Sequence, residues 1–124
     1  MLTNKNIILY TALFLTVILA NYLYYNLSKG PITIERSGDF TALGVSDATP
    51  IVAYTALWCD ACKELKSYLA SNKIEYKNID IDEDKNAIEA LENFGLYGVP
   101  VIIIKDNLIQ GFNGDLLTKY IVYN

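Results

Sequence analysis

The chain has 124 residues, of which 52% are apolar and 19% charged, with a net charge of −4, two cysteines and no histidine. The lack of histidine excludes Ser-His-Asp and Cys-His catalysis, imidazole ligation of zinc and a histidine pH switch, and two cysteines cannot complete a four-ligand zinc site in one chain. An acidic balance of 14 Asp and Glu against 10 Lys and Arg provides no patch to neutralise phosphates, so no nucleic-acid partner is expected.

Soluble domains carry ~25% charged residues, and the shortfall here has one location: no Asp, Glu, Lys or Arg occurs from Asn6 to Ser28. Between Ile7 and Tyr25, 16 of 19 residues are apolar, broken only by Thr11, Thr16 and Asn21. At ~1.5 Å per residue a helix of this length nearly spans a ~30 Å hydrocarbon core. Tyr22, Tyr24 and Tyr25 stand at its C-terminal end, where aromatic rings favour the headgroup level. Residues 1–29 are therefore expected to form a membrane anchor with a transmembrane helix over about 7–25. The alternative is a cleavable signal peptide, with Lys5 as its basic region and an apolar core from Ile7 to Ala20. Isoleucine, leucine and tyrosine crowd the positions where cleavage needs small residues, and the apolar run continues past Ala20. Lys5 on one side and Lys29 with Arg36 on the other nearly balance under the positive-inside rule. A short basic N-terminus followed at once by an apolar run favours the N-terminus inside and the folded part outside, in the periplasm if the source is bacterial.

Residues 31–47 are only 35% apolar and include Gly38 and Gly44, so the span 30–48 reads as a linker with at most a short strand at Ile32 to Ile34. From residue 49 to 124 the pattern is that of a folded domain. Ile51 to Tyr54 is a short apolar run suited to a buried strand. Asp60 to Ser71 follows as a helix with Cys62, Leu65 and Leu69 on one face. A second strand covers about Glu75 to Ile79, and a second helix about Asp84 to Phe94, with Ile88 and Leu91 facing inward. Val101 to Ile104 is apolar on both faces, as a central strand requires. Lys105-Asp106-Asn107 turns the chain, Leu108 to Phe112 returns as an antiparallel strand, and Leu116 to Val122 forms a closing helix. The order β-α-β-α-β-β-α predicts an α/β sandwich around a four-stranded mixed sheet.

Cys59 and Cys62 fall where the first strand hands over to the first helix. Free amides and the positive end of the dipole at a helix N-terminus lower a cysteine pKa from ~8.5 into the ~3.5–7.5 range. Cys59 is then the nucleophile, and Cys62, one turn on and on the inward face, is the residue that attacks a mixed disulfide. Asp60 opposes the thiolate electrostatically and is expected to tune the pair towards reducing behaviour. A structural disulfide across so short a loop adds little stability, and half of an intermolecular metal or iron-sulfur site is a further alternative. The alternating acids from Asp80 to Asp84 do not fit a calcium loop, since Lys85 and Leu91 replace the required glycine and glutamate. They read as an acidic helix start.

Taken in order, Tyr54-Thr55, Trp58-Cys59-Asp60-Ala61-Cys62-Lys63, Gly98-Val99-Pro100 and Gly111-Phe112-Asn113 resemble the thioredoxin superfamily, and glutaredoxins most closely. The resemblance implies a thioredoxin/glutaredoxin fold over residues 49–124 and a cis bond before Pro100. It also implies a substrate groove shaped by Trp58, Val99 and Pro100, in which the Val99 backbone pairs with an extended substrate. Glutathione-binding members have Thr-Val-Pro at the proline loop, a Gly-Gly motif after the fourth strand and often a basic residue before the cysteines. Here Gly98 and Gln110 depart from those patterns, and no Lys or Arg occurs from Gly38 to Cys62, so glutathione is a poor fit. Ala53 occupies the position of the buried acid of many thioredoxins. The sequence thus points to a membrane-tethered thiol-disulfide oxidoreductase with protein thiols or disulfides as substrates and a reductase or thiol donor as partner. It needs no cofactor for the exchange. The competing readings are a thioredoxin-fold binding module without turnover and a glutaredoxin-like dimer that binds a metal or iron-sulfur cluster.

Overall fold

The computed structural model describes residues 3–27 and 33–122. The expected linker boundaries at 29–30 and the residue Ile32 lie outside this set. The chain forms two compact units.

The first unit contains one helix, α1 (Asn4–Leu27), which buries no residue. Its 24 residues are long and apolar enough to cross a bilayer. The polar side chains inside it turn back onto the helix: Thr11 and Thr16 donate to the carbonyls of Ile8 and Leu13, and Asn21 and Asn26 to those of Val17 and Tyr22. A polar group in hydrocarbon needs such an internal partner.

The second unit is built on a five-stranded mixed sheet with the order β1-β5-β4-β2-β3. Its strands are β1 (Ile34–Ser37), β2 (Ile51–Thr55), β3 (Lys77–Asp80), β4 (Val101–Ile104) and β5 (Asn107–Gln110), and its helices are α2 (Asp60–Ser71), α3 (Lys85–Asn93) and α4 (Gly114–Val122). β2 and β3 run parallel, and the other pairs are antiparallel. Because side chains alternate along a strand, each central strand contributes to two cores. Val52, Tyr54, Val101, Ile103 and Leu108 face Ala87 and Leu91 of α3 on one side. Ala53, Ile102, Ile104 and Ile109 face Leu65 and Leu69 of α2 and Leu117 of α4 on the other. The predicted class and element order match this architecture, and two details change.

First, the stretch expected to be a linker belongs to the domain. β1 adds a fifth strand to the sheet by pairing with β5, from Ile34 opposite Gln110 to Ser37 opposite Asn107. An edge strand of four residues is held by ladder hydrogen bonds and needs no apolar run, so composition does not reveal it. Its side chains fasten it on both faces. Arg36 Nη1 donates to the Phe94 carbonyl at the end of α3 at 2.8 Å, while Glu35 accepts from the Tyr120 hydroxyl and pairs with Lys119 Nζ at 3.3 Å. Beyond β1, Phe40, Leu43 and Val45 are buried in the core. The Phe40 and Phe94 rings lie 5.9 Å apart, and the buried Tyr54 hydroxyl donates to the Leu43 carbonyl at 3.0 Å. Burial, and then the Asp84 carboxylate, push the Tyr54 phenol above its ordinary range. Three well-placed apolar residues are enough where 35% composition suggested a tether.

Second, Ile88 is 46% exposed, and α3 meets the sheet with Ala87 and Leu91 instead. The buried stripe, with Ala90 and Phe94 partly covered beside it, follows i, i+3, i+4 and i+7 from Ala87. This register turns Ile88 outward.

The packing of Phe40 gives a direct test. Phe40→Ala is expected to destabilise the second unit by about 3 kcal/mol, read as a shift in the urea midpoint. A residue in a free tether would move it by less than about 0.5 kcal/mol.

Candidate redox site

β2 ends at Thr55, the chain turns through Ala56 to Trp58, and α2 begins at Asp60 with Cys59 as its N-cap residue. Cys59 has extended backbone (φ −93°, ψ 112°), and the Cys62 amide N–H points at its sulfur at 3.1 Å. N-caps are usually Ser, Thr, Asp or Asn, whose oxygens satisfy an amide left open by the first turn. In this helix a sulfur takes that place.

The two cysteines are joined in a disulfide, with Cα atoms 5.2 Å apart. Cys62 is fully buried, whereas Cys59 retains 7% exposure. Around them pack Ala56, Ala61, Ile81 and Val99. Val99 belongs to the loop that precedes β4: its carbonyl oxygen lies 3.6 Å from Cys59 Sγ, and the Val99–Pro100 peptide bond is cis. Pro100 is buried. β5 holds the loop from the other side, because the Gly111 N–H donates to the Pro100 carbonyl at 2.8 Å and Gln110 Nε2 to the Gly98 carbonyl at 3.3 Å. Gly98 has φ +119°, a region that residues with a Cβ rarely adopt.

The sequence from 51 to 109 matches the Glutaredoxin family model. Over 72 residues the chain is 35% identical to an uncharacterized glutaredoxin-like 8.6 kDa protein in a rubredoxin operon of Clostridium pasteurianum, covering 57% of this chain and 96% of that protein. This chain belongs to the glutaredoxin family. A second glutaredoxin-like protein, NrdH of Lactococcus lactis subsp. cremoris (strain MG1363), is 30% identical over 69 residues, covering 56% of this chain and 96% of the relative. The solved structure of the glutaredoxin-like protein NrdH-redoxin from Escherichia coli has a TM-score of 0.53 to this chain at 29% identity, covering 56% of this chain and 91% of that one. The fold is that of a glutaredoxin-like thiol-disulfide oxidoreductase with a Cys59–Cys62 pair. β1 and the buried segment through Val45 lie outside the residues matched by the family model.

Three further side chains shape the rim of this glutaredoxin-like site. Trp58, 67% exposed, donates its indole N–H to Asp82 Oδ1 at 3.2 Å. Asp82 stands in the turn after β3, where its own N–H donates to Asp80 Oδ1 at 2.9 Å. Sequence reading placed Trp58 at the site but missed Asp82, because a run of acids before a helix carries no sign of which one reaches across 24 residues. Asp60, the expected tuning residue, has a side chain 91% exposed and pairs with Lys63 Nζ at 3.1 Å. Water and the lysine both weaken its effect on the sulfur. Asn113 is occupied as the cap of α4, accepting from the amides of Asp115 and Leu116 at 3.0 and 3.2 Å. Asp84 caps α3 in the same way, accepting from the Asn86 amide at 3.0 Å.

Trp58 is the sole tryptophan of the chain, so its emission reports on this rim alone. Asp82→Ala is expected to change the emission and polarisation of Trp58 by releasing the indole N–H, without a shift in the urea midpoint beyond about 0.5 kcal/mol. An unchanged Trp58 spectrum would show that the hydrogen bond does not hold the ring in solution.

Proposed function

We propose that this chain is a membrane-tethered thiol-disulfide oxidoreductase in which Cys59 is the exchanging thiol and Cys62 the resolving one. The observation that carries the reading is the placement of the Cys62 N–H on the Cys59 sulfur at the N-terminus of α2. When the pair is reduced, that amide and the helix dipole stabilise a thiolate on Cys59. Asp60 tempers this stabilisation through solvent. The Cys59 thiolate attacks one sulfur of a substrate disulfide and expels the other as a thiolate, which takes up a proton. The Cys62 thiolate then attacks the Cys59 sulfur and expels the substrate's remaining thiol. Two electrons pass to the substrate, and a Cys59–Cys62 disulfide is left. A dithiol or thiol donor restores the reduced pair by the reverse steps.

Val99 and Pro100 form one wall beside Cys59, and the Val99 backbone is positioned to pair with an extended polypeptide. Protein thiols and disulfides are therefore favoured over glutathione. No Lys or Arg occurs from Gly38 to Cys62 to meet a glutathione carboxylate. The Escherichia coli protein of similar structure is described for its thioredoxin-like activity profile, which agrees with this choice. Tethering rests on α1, and the folded unit is assigned to the extracytoplasmic side.

Two experiments test these points. Cys62→Ser is expected to accumulate mixed disulfides on Cys59 in cells, seen as reductant-sensitive adducts on nonreducing gels; a folded variant with no adducts would end the catalytic reading. For orientation, cells are treated with a membrane-impermeant phosphine and then with an impermeant maleimide. Labelling of Cys59 without permeabilisation is expected, and labelling only after permeabilisation would place the domain in the cytoplasm.

A further inference from the structure

Ile34, Gln110, Val101 and Tyr54 stand in one row across β1, β5, β4 and β2. Beyond this row, at one end of the sheet, lie the turn 56–58, Cys59 and the loop 97–100. Outside α1, the described residues expose six large apolar side chains, Ile34, Leu57, Trp58, Ile88, Tyr97 and Val122. Four of the six gather at this end: Leu57 and Trp58 in the turn after β2, Tyr97 in the loop before β4 and Ile34 at the start of β1. Leu57 is 70%, Trp58 67% and Tyr97 77% exposed. Single apolar residues scattered over a surface need no explanation, whereas several collected at one end mark a surface that meets a partner.

We infer that this end of the folded unit docks on the headgroup region of a lipid bilayer. The inference rests on α1 being a membrane anchor, as proposed above. Three observations select lipid as the partner. Only residues 28–33 separate Leu27, the last residue of α1, from Ile34, and that length of chain spans at most about 25 Å when extended. A bilayer that holds α1 is therefore within reach of the end of the sheet at which β1 starts. The side chains are also of the right kind, because tryptophan and tyrosine pair an apolar body with a polar tip and favour the headgroup level. The Trp58 N–H is already bonded to Asp82 Oδ1 at 3.2 Å, so the ring enters without leaving a buried donor unpaired. Finally, the rim limits the depth. Asp82 and Asp60, the latter with its side chain 91% exposed, keep contact with water at headgroup depth while Leu57, Trp58 and Tyr97 lose it. Cys59, next to Trp58, is thereby brought to the level at which membrane-attached polypeptides present their disulfides.

The test uses the full chain reconstituted in phosphatidylcholine vesicles, and flotation first establishes that the chain is in the bilayer. Trp58 is the sole tryptophan, so its emission, excited beyond the absorption of tyrosine, reads this end alone. Vesicles whose phosphatidylcholine carries a nitroxide on the headgroup are compared with unlabelled ones. The nitroxide is expected to quench Trp58 by about half in the unsubstituted chain, and by less than about a tenth in a Leu57→Ser, Tyr97→Ser double variant that no longer docks. Emission unchanged by the nitroxide in a chain that floats overturns the docking, leaves the anchor reading intact and assigns this end to a polypeptide partner. Quenching that the double variant retains also overturns it, and this comparison with the unsubstituted chain needs no variant to fail. A chain that does not float with the vesicles overturns both the docking and the anchor.

Discussion

The geometry of this site depends on one backbone amide, that of Cys62, being held against the sulfur of Cys59. The amide is fixed because α2 is fixed: Leu65 and Leu69 are fully buried against Ala53, Ile102 and Ile109 of the sheet, and the helix cannot slide without opening that contact. The turn that delivers Cys59 is fixed from the other side, as β2 is a central strand paired with both β3 and β4. An ordinary hydrophobic core thus sets the position of a single N–H group to within the reach of a hydrogen bond. No buried ionic group lies beneath the site to assist; among the described residues the only fully buried polar side chain is that of Thr55, which donates to Asn78.

What could be read from the sequence was what rests on strong local patterns. The doubly apolar run at Val101 to Ile104 announced a central strand, the spacing of Cys62, Leu65 and Leu69 gave the buried face of α2, and the order of the cysteine, proline and glycine motifs gave the family. What could not be read depended on partners distant in the chain. β1 has no apolar period because its stability lies in a ladder with β5 some 70 residues later and in Arg36 and Glu35 contacts with α3 and α4. Phe40, Leu43 and Val45 are spaced irregularly since they follow a short helical turn at Thr41–Leu43 closed by Gly44 in the left-handed region, with φ +86°. The same limit hid Asp82 as the partner of Trp58.

The surroundings of the cysteine pair divide into two unlike halves. On the side of α2 and the β3 turn lies Trp58, bonded to Asp82, whose own N–H donates to Asp80. On the side of β5 and β1 lie neutral and apolar groups, Ile34, Tyr97, Gly98 and Gly111, with Val99 between the halves. The matched family core supplies the pair and the proline loop, while β1 lies outside the matched residues and pairs with β5.

The direction of β1 has a mechanical consequence. It runs antiparallel to β5 with its first residue, Ile34, opposite Gln110, whose side chain is bonded to the loop that carries Val99. The polypeptide therefore enters the folded unit at the end of the sheet where the cysteines are. Force applied along β1 would load the β1–β5 ladder in shear, with its hydrogen bonds sharing the load, and the first paired residue, Ile34, stands opposite the Gln110 whose side chain holds the loop that carries Val99.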